Sequence, residues 1–237
     1  MSAITTRPAA PADVVRLQYG NANRMIGVPL YILGAVVVLS VAISLVVLRA
    51  GGTLKDADFN ASVLYSLLGY TVAIGVQNVT TTFPFALALG STRRTFVLGN
   101  LMTSLVQAVL VAVASVVLLG LELVTGGWFL GVRAMAAAPL GDGNPAVLAG
   151  VMLLAMLGAL SAGGVFGASW VRFGARGPLV LSLGIAVVVV LLLIVLMPQA
   201  GAIAGAAQPW WIAVGGAVEI GLAVVGQYLL LHRASVR

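Results

Sequence analysis

The stretch PLVLSLGIAVVVVLLLIVL, residues 178–196, decides the fold class of this chain. It contains no charged residue and a single hydroxyl group, and a helix that crosses a bilayer needs about 20 predominantly apolar residues. Five further mainly apolar runs have a comparable length: 29–47, 61–89, 95–120, 145–171 and 209–231. The sequence therefore predicts an all-α, polytopic membrane protein with six transmembrane helices.

The composition excludes a water-soluble fold. Of the 237 residues, 61% are hydrophobic and 8% are charged, whereas soluble domains carry about 25% charged residues. There is no cysteine and only one histidine, His232, so disulfides, thiolate chemistry and a Cys/His metal site are excluded. The net charge of +6 is interpreted as an orientation signal in the lipid bilayer and not as a sign of nucleic-acid binding.

The basic residues predict the direction of the six spans. If both termini are cytoplasmic, nine of the 12 lysine and arginine residues lie inside: Arg7, Arg16, Arg24, Arg93, Arg94, Arg172, Arg176, Arg233 and Arg237. The remaining three, Arg49, Lys55 and Arg133, lie outside, as the positive-inside rule requires. We expect a cytoplasmic N-terminal segment at 1–28, one transmembrane domain at 29–232 and a cytoplasmic tail at 233–237.

The segment before the first run, PADVVRLQYGNANR at residues 11–24, has two interpretations. Val14, Val15 and Leu17 beside Arg16 are compatible with a short amphipathic helix in the cytoplasmic interface of the membrane. Gly20 and the following asparagines are equally compatible with an irregular tail.

Polar residues are concentrated in the second and third runs. In the second run, one apolar stripe is expected to face lipid: Leu68, Val72, Val76, Val79 and Phe83. The remaining faces of the two runs carry candidate residues for a translocation path or a helix interface: Tyr70, Gln77, Asn78, Thr81, Asn100, Ser104 and Gln107. Such side chains either join helices by hydrogen bonds or line a route for a substrate, and the sequence leaves both alternatives open.

Glu219 lies in the middle of the last run and completes this candidate set. An ionised carboxylate at that depth costs several kcal/mol when it faces lipid, so we expect it to face the bundle. Gly215, Gly216 and Gly221 are expected to let a neighbouring helix approach it. Glu219 is then either a functional residue, as a substrate contact or proton relay, or a neutral structural acid.

The stretch GSTRRTF, residues 90–96, joins the second and third runs. Gly90 is expected just past the end of one helix, and Ser91 or Thr92 is expected to cap the next. Arg93 and Arg94 mark a cytoplasmic boundary, and the short turn makes the two helices antiparallel neighbours.

Several catalytic chemistries are absent from the sequence. The only lysine is Lys55, so a P-loop for ATP cannot be formed. The stretch FGASW at 166–170 resembles the Gly-x-Ser-Gly of rhomboid proteases, but Trp170 replaces the last glycine and His232 lies at the end of the sixth run, not within it. We therefore expect no catalytic residue and no enzyme activity in this chain.

Three stretches carry a family resemblance: FPFALALGSTRRTFVLGN at 83–100, LELVTGGW at 121–128 and VFGASWVRFGARG at 165–177. They resemble six-span permease subunits of ABC (ATP-binding cassette) exporters, in particular small permeases of high-GC Gram-positive bacteria. The resemblance extends over nearly the whole chain in the number and order of spans.

The resemblance implies a multi-pass protein of the bacterial plasma membrane that works with a separate ATPase subunit. The docking residues would be Gly90, Ser91, Thr92, Arg93 and Arg94. Two permeases, identical or different, would pair with two ATPases that bind ATP and Mg²⁺, while this chain itself would bind no cofactor. Two alternatives stay open: a gradient-driven transporter or channel that uses Glu219, and a membrane assembly subunit without transport activity.

Overall fold

The structure, a computed structural model, describes residues 10–53, 62–201, 205 and 208–234, and the regular elements of this part are helices. Arg7, Lys55 and Arg237, which enter the charge argument, lie outside the described residues. The helices are α1 Pro11–Gln18, α2 Val28–Arg49, α3 Ser62–Ala88, α4 Arg93–Val124, α5 Pro145–Phe173, α6 Arg176–Leu196 and α7 Pro209–His232. The helices α2–α7 are long and apolar enough to cross a membrane, which confirms the predicted all-α, six-span fold.

The helices extend beyond the apolar runs. One π turn over Asn23–Gly27 precedes α2, and α4 begins at Arg93 and ends at Val124. The hydrocarbon core limits only the apolar part of a helix, whereas backbone hydrogen bonding continues until a capping residue or a glycine interrupts it. The basic residues at these ends therefore belong to the helices themselves.

The turns at 89–92 and 174–175 and the end of α7 lie at the same end of the bundle. We call this the arginine-rich end, because its described residues include Arg24, Arg93, Arg94, Arg172, Arg176 and Arg233. The other end carries the segment 125–144. The assignment of the arginine-rich end to the cytoplasm remains a prediction from the charges.

Helix α5 is the central element and packs against α3, α4, α6 and α7. Its contact with α3 is a close approach of two backbones. A Cβ atom on Gly75 would lie 2.5 Å from the carbonyl oxygen of Leu160, and one on Gly167 would lie 2.7 Å from that of Val76. Gly163 and Gly167 of α5 thus form a small-residue packing surface against α3.

The expected lipid-facing stripe of α3 is wrong. Val79 and Phe83 are completely buried, and Leu68, Val72 and Val76 are half-buried inside the bundle. The exposed residues of this helix lie on another face, which includes Tyr65, Ala73, Gln77, Thr81 and Phe85. Sequence periodicity separates the two faces of a helix, but in a membrane the protein exterior is also apolar, so hydrophobicity does not say which face is buried.

The segment 125–144 folds around one buried carboxylate. Glu122, 2% exposed, accepts hydrogen bonds from the backbone N–H groups of Ala134 (3.2 Å), Met135 (2.8 Å) and Ala136 (2.9 Å). It also accepts one from Trp128 Nε1 (3.0 Å). Trp128 is therefore held against the bundle, and the exposed aromatic side chain of this segment is Phe129.

A left-handed turn brings Trp128 to this carboxylate. The backbone has positive φ angles at Gly126 (61°), Gly127 (77°), Trp128 (57°) and Phe129 (64°). Non-glycine residues seldom adopt this conformation, because their Cβ atom crowds the backbone. The hydrogen bonds to Glu122 compensate for this local strain, so Glu122 and the turn in LELVTGGW form one structural unit.

Helix α6 makes the fewest contacts with the rest of the described chain. Only its first turns pack against α5, Gly177 is its one buried residue, and the residues 182–200 are exposed on all sides. The stretch that decides the fold class thus contributes least to the tertiary structure.

Candidate functional site

Four of the eight predicted candidate residues meet in one group at the arginine-rich end, which we call the polar network. It is enclosed by α1, the start of α2, α3 and α4. Its members are Gln18, Tyr19, Arg24, Tyr70, Asn78, Thr82, Asn100 and Gln107.

Gln18, the last residue of α1, connects α1 to both α3 and α4. Its Nε2 donates to Asn100 Oδ1 (3.0 Å) and to Thr82 Oγ1 (3.3 Å), and the side chain is 6% exposed. Its Oε1 is buried without a hydrogen-bond partner. Nε2 also lies 3.5 Å from the Asn78 carbonyl oxygen. Because burial makes an unpaired polar group costly, these contacts of Nε2 hold α1 in a defined position.

Arg24 joins the first turn of the α2 span to α3. Its NH2 group donates to Asn78 Oδ1 (3.3 Å), and its backbone carbonyl oxygen accepts from the Tyr70 hydroxyl group (2.6 Å). No carboxylate of the described residues forms an ion pair with this guanidinium, and its Nε is buried without a partner. The positive charge is therefore balanced only by polar groups, which it polarises.

Tyr19 adds the contact farthest along α4. Its hydroxyl group donates to Gln107 Oε1 (3.1 Å). Burial raises the pKa of Tyr19 above its usual value of about 10, because desolvation disfavours the phenolate. The phenol therefore remains a neutral donor at physiological pH.

Helix α1 reaches the network because Gly99 of α4 leaves room for it. A Cβ atom at Gly99 would lie 2.6 Å from Val14 Cβ and 2.7 Å from the carbonyl oxygen of Pro11. The helical alternative for 11–24 is thus confirmed over Pro11–Gln18. Val14, which the interfacial interpretation would place in lipid, is instead buried against protein.

The structure divides the predicted candidate residues into three groups. Tyr70, Asn78, Asn100 and Gln107 belong to the polar network, and buried Ser104 donates to the Asn100 carbonyl oxygen of its own helix. Gln77 and Thr81 lie on the exposed face of α3. Glu219 lies elsewhere, in a groove between α3, α5 and α7.

Sequence reasoning missed Gln18, Tyr19 and Arg24 as members of this group. The available signal was the polar stretch RLQYGNANR at 16–24, whose amides and tyrosine are unusual beside an apolar span. Only the docking of α1 on Gly99 shows that these side chains point into the bundle.

Replacement of Asn100 by alanine tests the network. Loss of Asn100 Oδ1 removes the best-placed acceptor of Gln18, so we expect α1 to be held less firmly and the chain to lose about 1–2 kcal/mol of stability. The measurement is thermal unfolding in detergent together with hydrogen exchange over 11–18. Gln77→Ala, which removes an exposed amide from α3, is the matched control. Equal behaviour of the two variants would contradict a structural role for the network.

The predicted turn between the second and third runs has the expected caps. The N–H groups of Gly90 and Ser91 donate to the carbonyl oxygens of Leu87 and Ala86, both at 2.9 Å, and Gly90 has a φ of 86°. This pattern is a Schellman motif. Thr92 Oγ1 accepts from the Thr95 N–H group (3.1 Å) and caps α4. The turn is therefore fixed on both sides.

The two arginines after this turn have different surroundings. The Arg93 guanidinium donates to the backbone carbonyl oxygens of His232 and Ala234, the latter at 2.8 Å, and so binds the C-terminal end of α7. Arg94 is exposed. Arg93 therefore connects two spans, while Arg94 is the residue of the pair that is available to another molecule.

The groove that contains Glu219 has a volume of about 860 Å³. Glu219 points toward α5, where a Cβ atom on Gly158 would lie 2.7 Å from Glu219 Oε2. Of the glycines expected to admit a neighbour, Gly216 faces Leu154, whereas a Cβ atom on Gly215 or Gly221 would have nothing within 4 Å. The close approach is therefore made by Gly158, and the Glu219 side chain stays exposed to the groove.

No known protein family, curated protein or solved structure matches this chain. A functional proposal for this chain therefore rests on the contacts of its own residues.

Proposed function

We propose that this chain is the permease subunit of an ATP-driven ABC exporter in a bacterial plasma membrane, with the arginine-rich end in the cytoplasm. The observation that carries the proposal is the turn at 89–92, which is capped on both sides and presents an exposed Arg94 between two consecutive spans. The resemblance of 83–100 to the ATPase-contacting region of such permeases supports the same function.

The turn is rigidly connected to the helices around it. Phe83 and Phe96 pack edge to face across it with ring centroids 5.0 Å apart, so the ends of α3 and α4 are joined by side chains as well as by backbone. Arg93 couples the same region to α7, and α3 packs along α5. An ATPase that moves this turn would therefore move α3, α4, α5 and α7 together, as a rigid-body switch requires.

The docking surface would consist of Gly90, Ser91, Thr92 and Arg94, with Arg93 as its internal brace. A guanidinium forms paired, charge-assisted hydrogen bonds with a carboxylate, so an acidic cleft on the ATPase is the expected partner surface. ATP and Mg²⁺ would be bound by that subunit, because this chain has no P-loop lysine.

The exposed polar residues of α3 support a second permease, identical or homologous, in the assembly. Gln77 and Thr81 lie on the outer face of a spanning helix, where lipid offers no hydrogen-bond partner to the Gln77 amide. A second permease against this face would supply such partners.

Charge reversal at Arg94 tests the docking proposal. With a P-loop ATPase subunit that co-purifies with the unchanged chain as the partner, we expect Arg94→Glu to reduce co-purification about tenfold or more, because the new carboxylate repels an acidic cleft. The thermal stability of the permease is expected to stay unchanged, since the side chain is exposed.

Two control variants accompany this experiment. Arg176→Glu reverses another exposed arginine at the same end and should leave ATPase binding largely intact. Arg93→Gln should lower the thermal stability by loosening the end of α7. Normal ATPase capture by Arg94→Glu would refute the docking proposal.

Glu219, which has no hydrogen-bond or ion-pair partner among the described residues, favours one alternative: a gradient-driven transporter or channel that uses this carboxylate. Transport into membrane vesicles separates the two functions. Dependence on ATP with an intact ATPase subunit supports the exporter, whereas transport driven by an ion gradient without ATP supports the alternative.

A further inference from the structure

We propose that the groove between α3, α5 and α7 binds an amphipathic cation, a bulky apolar molecule with one positive charge, and that Glu219 is its counter-ion. This inference deepens the proposed transport function and rests on it for the claim that the bound molecule is carried across the membrane.

The shape of the groove fits a small organic molecule. Its volume of about 860 Å³ lies within the range of about 300–1,000 Å³ that is usual for such sites. Apart from Glu219, all the lining residues are apolar or glycine, among them Leu64, Val72, Leu154 and Gly216. A ligand that fills this space must therefore present mostly hydrocarbon or aromatic surface.

The charge of the groove selects the sign of the ligand. Glu219 is the only ionisable residue of the lining, and none of the described residues forms a hydrogen bond or an ion pair with it. In the segment 125–144, three residues of which line the groove, Arg133 is paired with Asp142. A carboxylate among apolar walls is stabilised by a cation that replaces its lost hydration. No described residue supplies this cation, so we assign it to a ligand.

A second copy of the chain is a poorer occupant of the groove. In the six spans, arginine and histidine residues lie only in the first or last turns, as Arg49, Arg93, Arg172 and His232 illustrate. No span of another copy could therefore place a positive side chain opposite Glu219 at mid-depth. A small diffusible cation is not restricted in this way.

The test compares two probes of similar shape and opposite charge. The purified chain in detergent is titrated with tetraphenylphosphonium and with tetraphenylborate, and binding is measured by equilibrium dialysis against empty micelles. We expect Glu219→Gln to weaken phosphonium binding about tenfold or more, because the counter-ion is lost, and to leave borate binding unchanged or stronger. Glu219→Asp keeps the charge and should bind the phosphonium within a few-fold of the natural chain.

A second variant tests the location without a change of charge. A Cβ atom on Gly215 meets nothing within 4 Å, so Gly215→Leu is tolerated while its side chain occupies the groove. It should weaken phosphonium binding about tenfold. Gly120→Leu is the control, since Gly120 also has open space around it but lies on α4 outside the groove.

Three outcomes would overturn the inference: no saturable phosphonium binding by the natural chain, equal binding by Glu219→Gln, or equal binding by Gly215→Leu and Gly120→Leu. These results are independent of the ATPase, because binding is measured on the permease alone. A failure of ATPase capture through Arg94 would refute the proposed function and leave the cation site standing.

Discussion

Replacement of Gly163 by leucine is expected to separate α3 from α5 and to destabilise the whole bundle. A Cβ atom at this position would lie 2.9 Å from Gly75 Cα and 3.0 Å from the backbone nitrogen of Val76. These are main-chain atoms of a regular helix, so the added side chain cannot be accommodated by a rotamer change. We expect a loss on the order of 3 kcal/mol.

Thermal unfolding in detergent, followed by size-exclusion chromatography, measures this effect. For a chain of this size, about 3 kcal/mol corresponds to a decrease of roughly 6–12 °C in the unfolding temperature. Gly150→Leu is the matched control on the same helix, because a Cβ atom there meets nothing within 4 Å. If both variants unfold at the same temperature, the close packing of α3 and α5 does not limit stability.

Replacement of Glu122 by alanine is expected to release the segment 125–144 from the bundle. The change leaves the N–H groups of Ala134, Met135 and Ala136 and the Trp128 indole N–H without their acceptor. Each buried donor that loses a charged acceptor costs about 1–3 kcal/mol. Partial rehydration lowers the sum, and we expect a loss on the order of 3 kcal/mol or more.

Hydrogen exchange at residues 134–136 reports this change directly, and so does the fluorescence of Trp128 in a chain whose other three tryptophans are replaced by phenylalanine. Exchange should become faster by orders of magnitude, and the tryptophan emission should shift as the indole loses its position. Asp142→Ala removes an exposed acid from the same segment and serves as the control. Unchanged protection of the three amides in Glu122→Ala would show that another interaction holds the segment.

The six spans and the turn at 89–92 could be predicted because their signals are local. The length of an apolar run, the glycine at position 90 and the hydroxyl group at position 92 act within one or two helical turns. The predicted cap is accordingly confirmed at Thr92.

The candidate site was predicted only in part. Asn78, Asn100 and Gln107 were identified as polar residues of two spans, but their partners Gln18, Tyr19 and Arg24 come from a segment with a weak local pattern. The role of Glu122 was not identified at all, since its hydrogen-bond donors lie 6–14 residues along the chain in an irregular segment. Such contacts depend on how distant segments fold against each other.

The six apolar spans of this chain, and the capped turn that two arginines follow, could be predicted from the sequence alone, although the helices extend beyond the apolar runs. The packing of the helices was needed to show which face of α3 is buried. It also shows that Arg93 binds the C-terminal end of α7 while Arg94 is exposed, and that Glu219 lines an apolar groove. The physical reason is that apolar transfer and backbone hydrogen bonding act along one helix. Helix packing inside a bilayer instead depends on the fit of small residues and on paired polar groups from different helices.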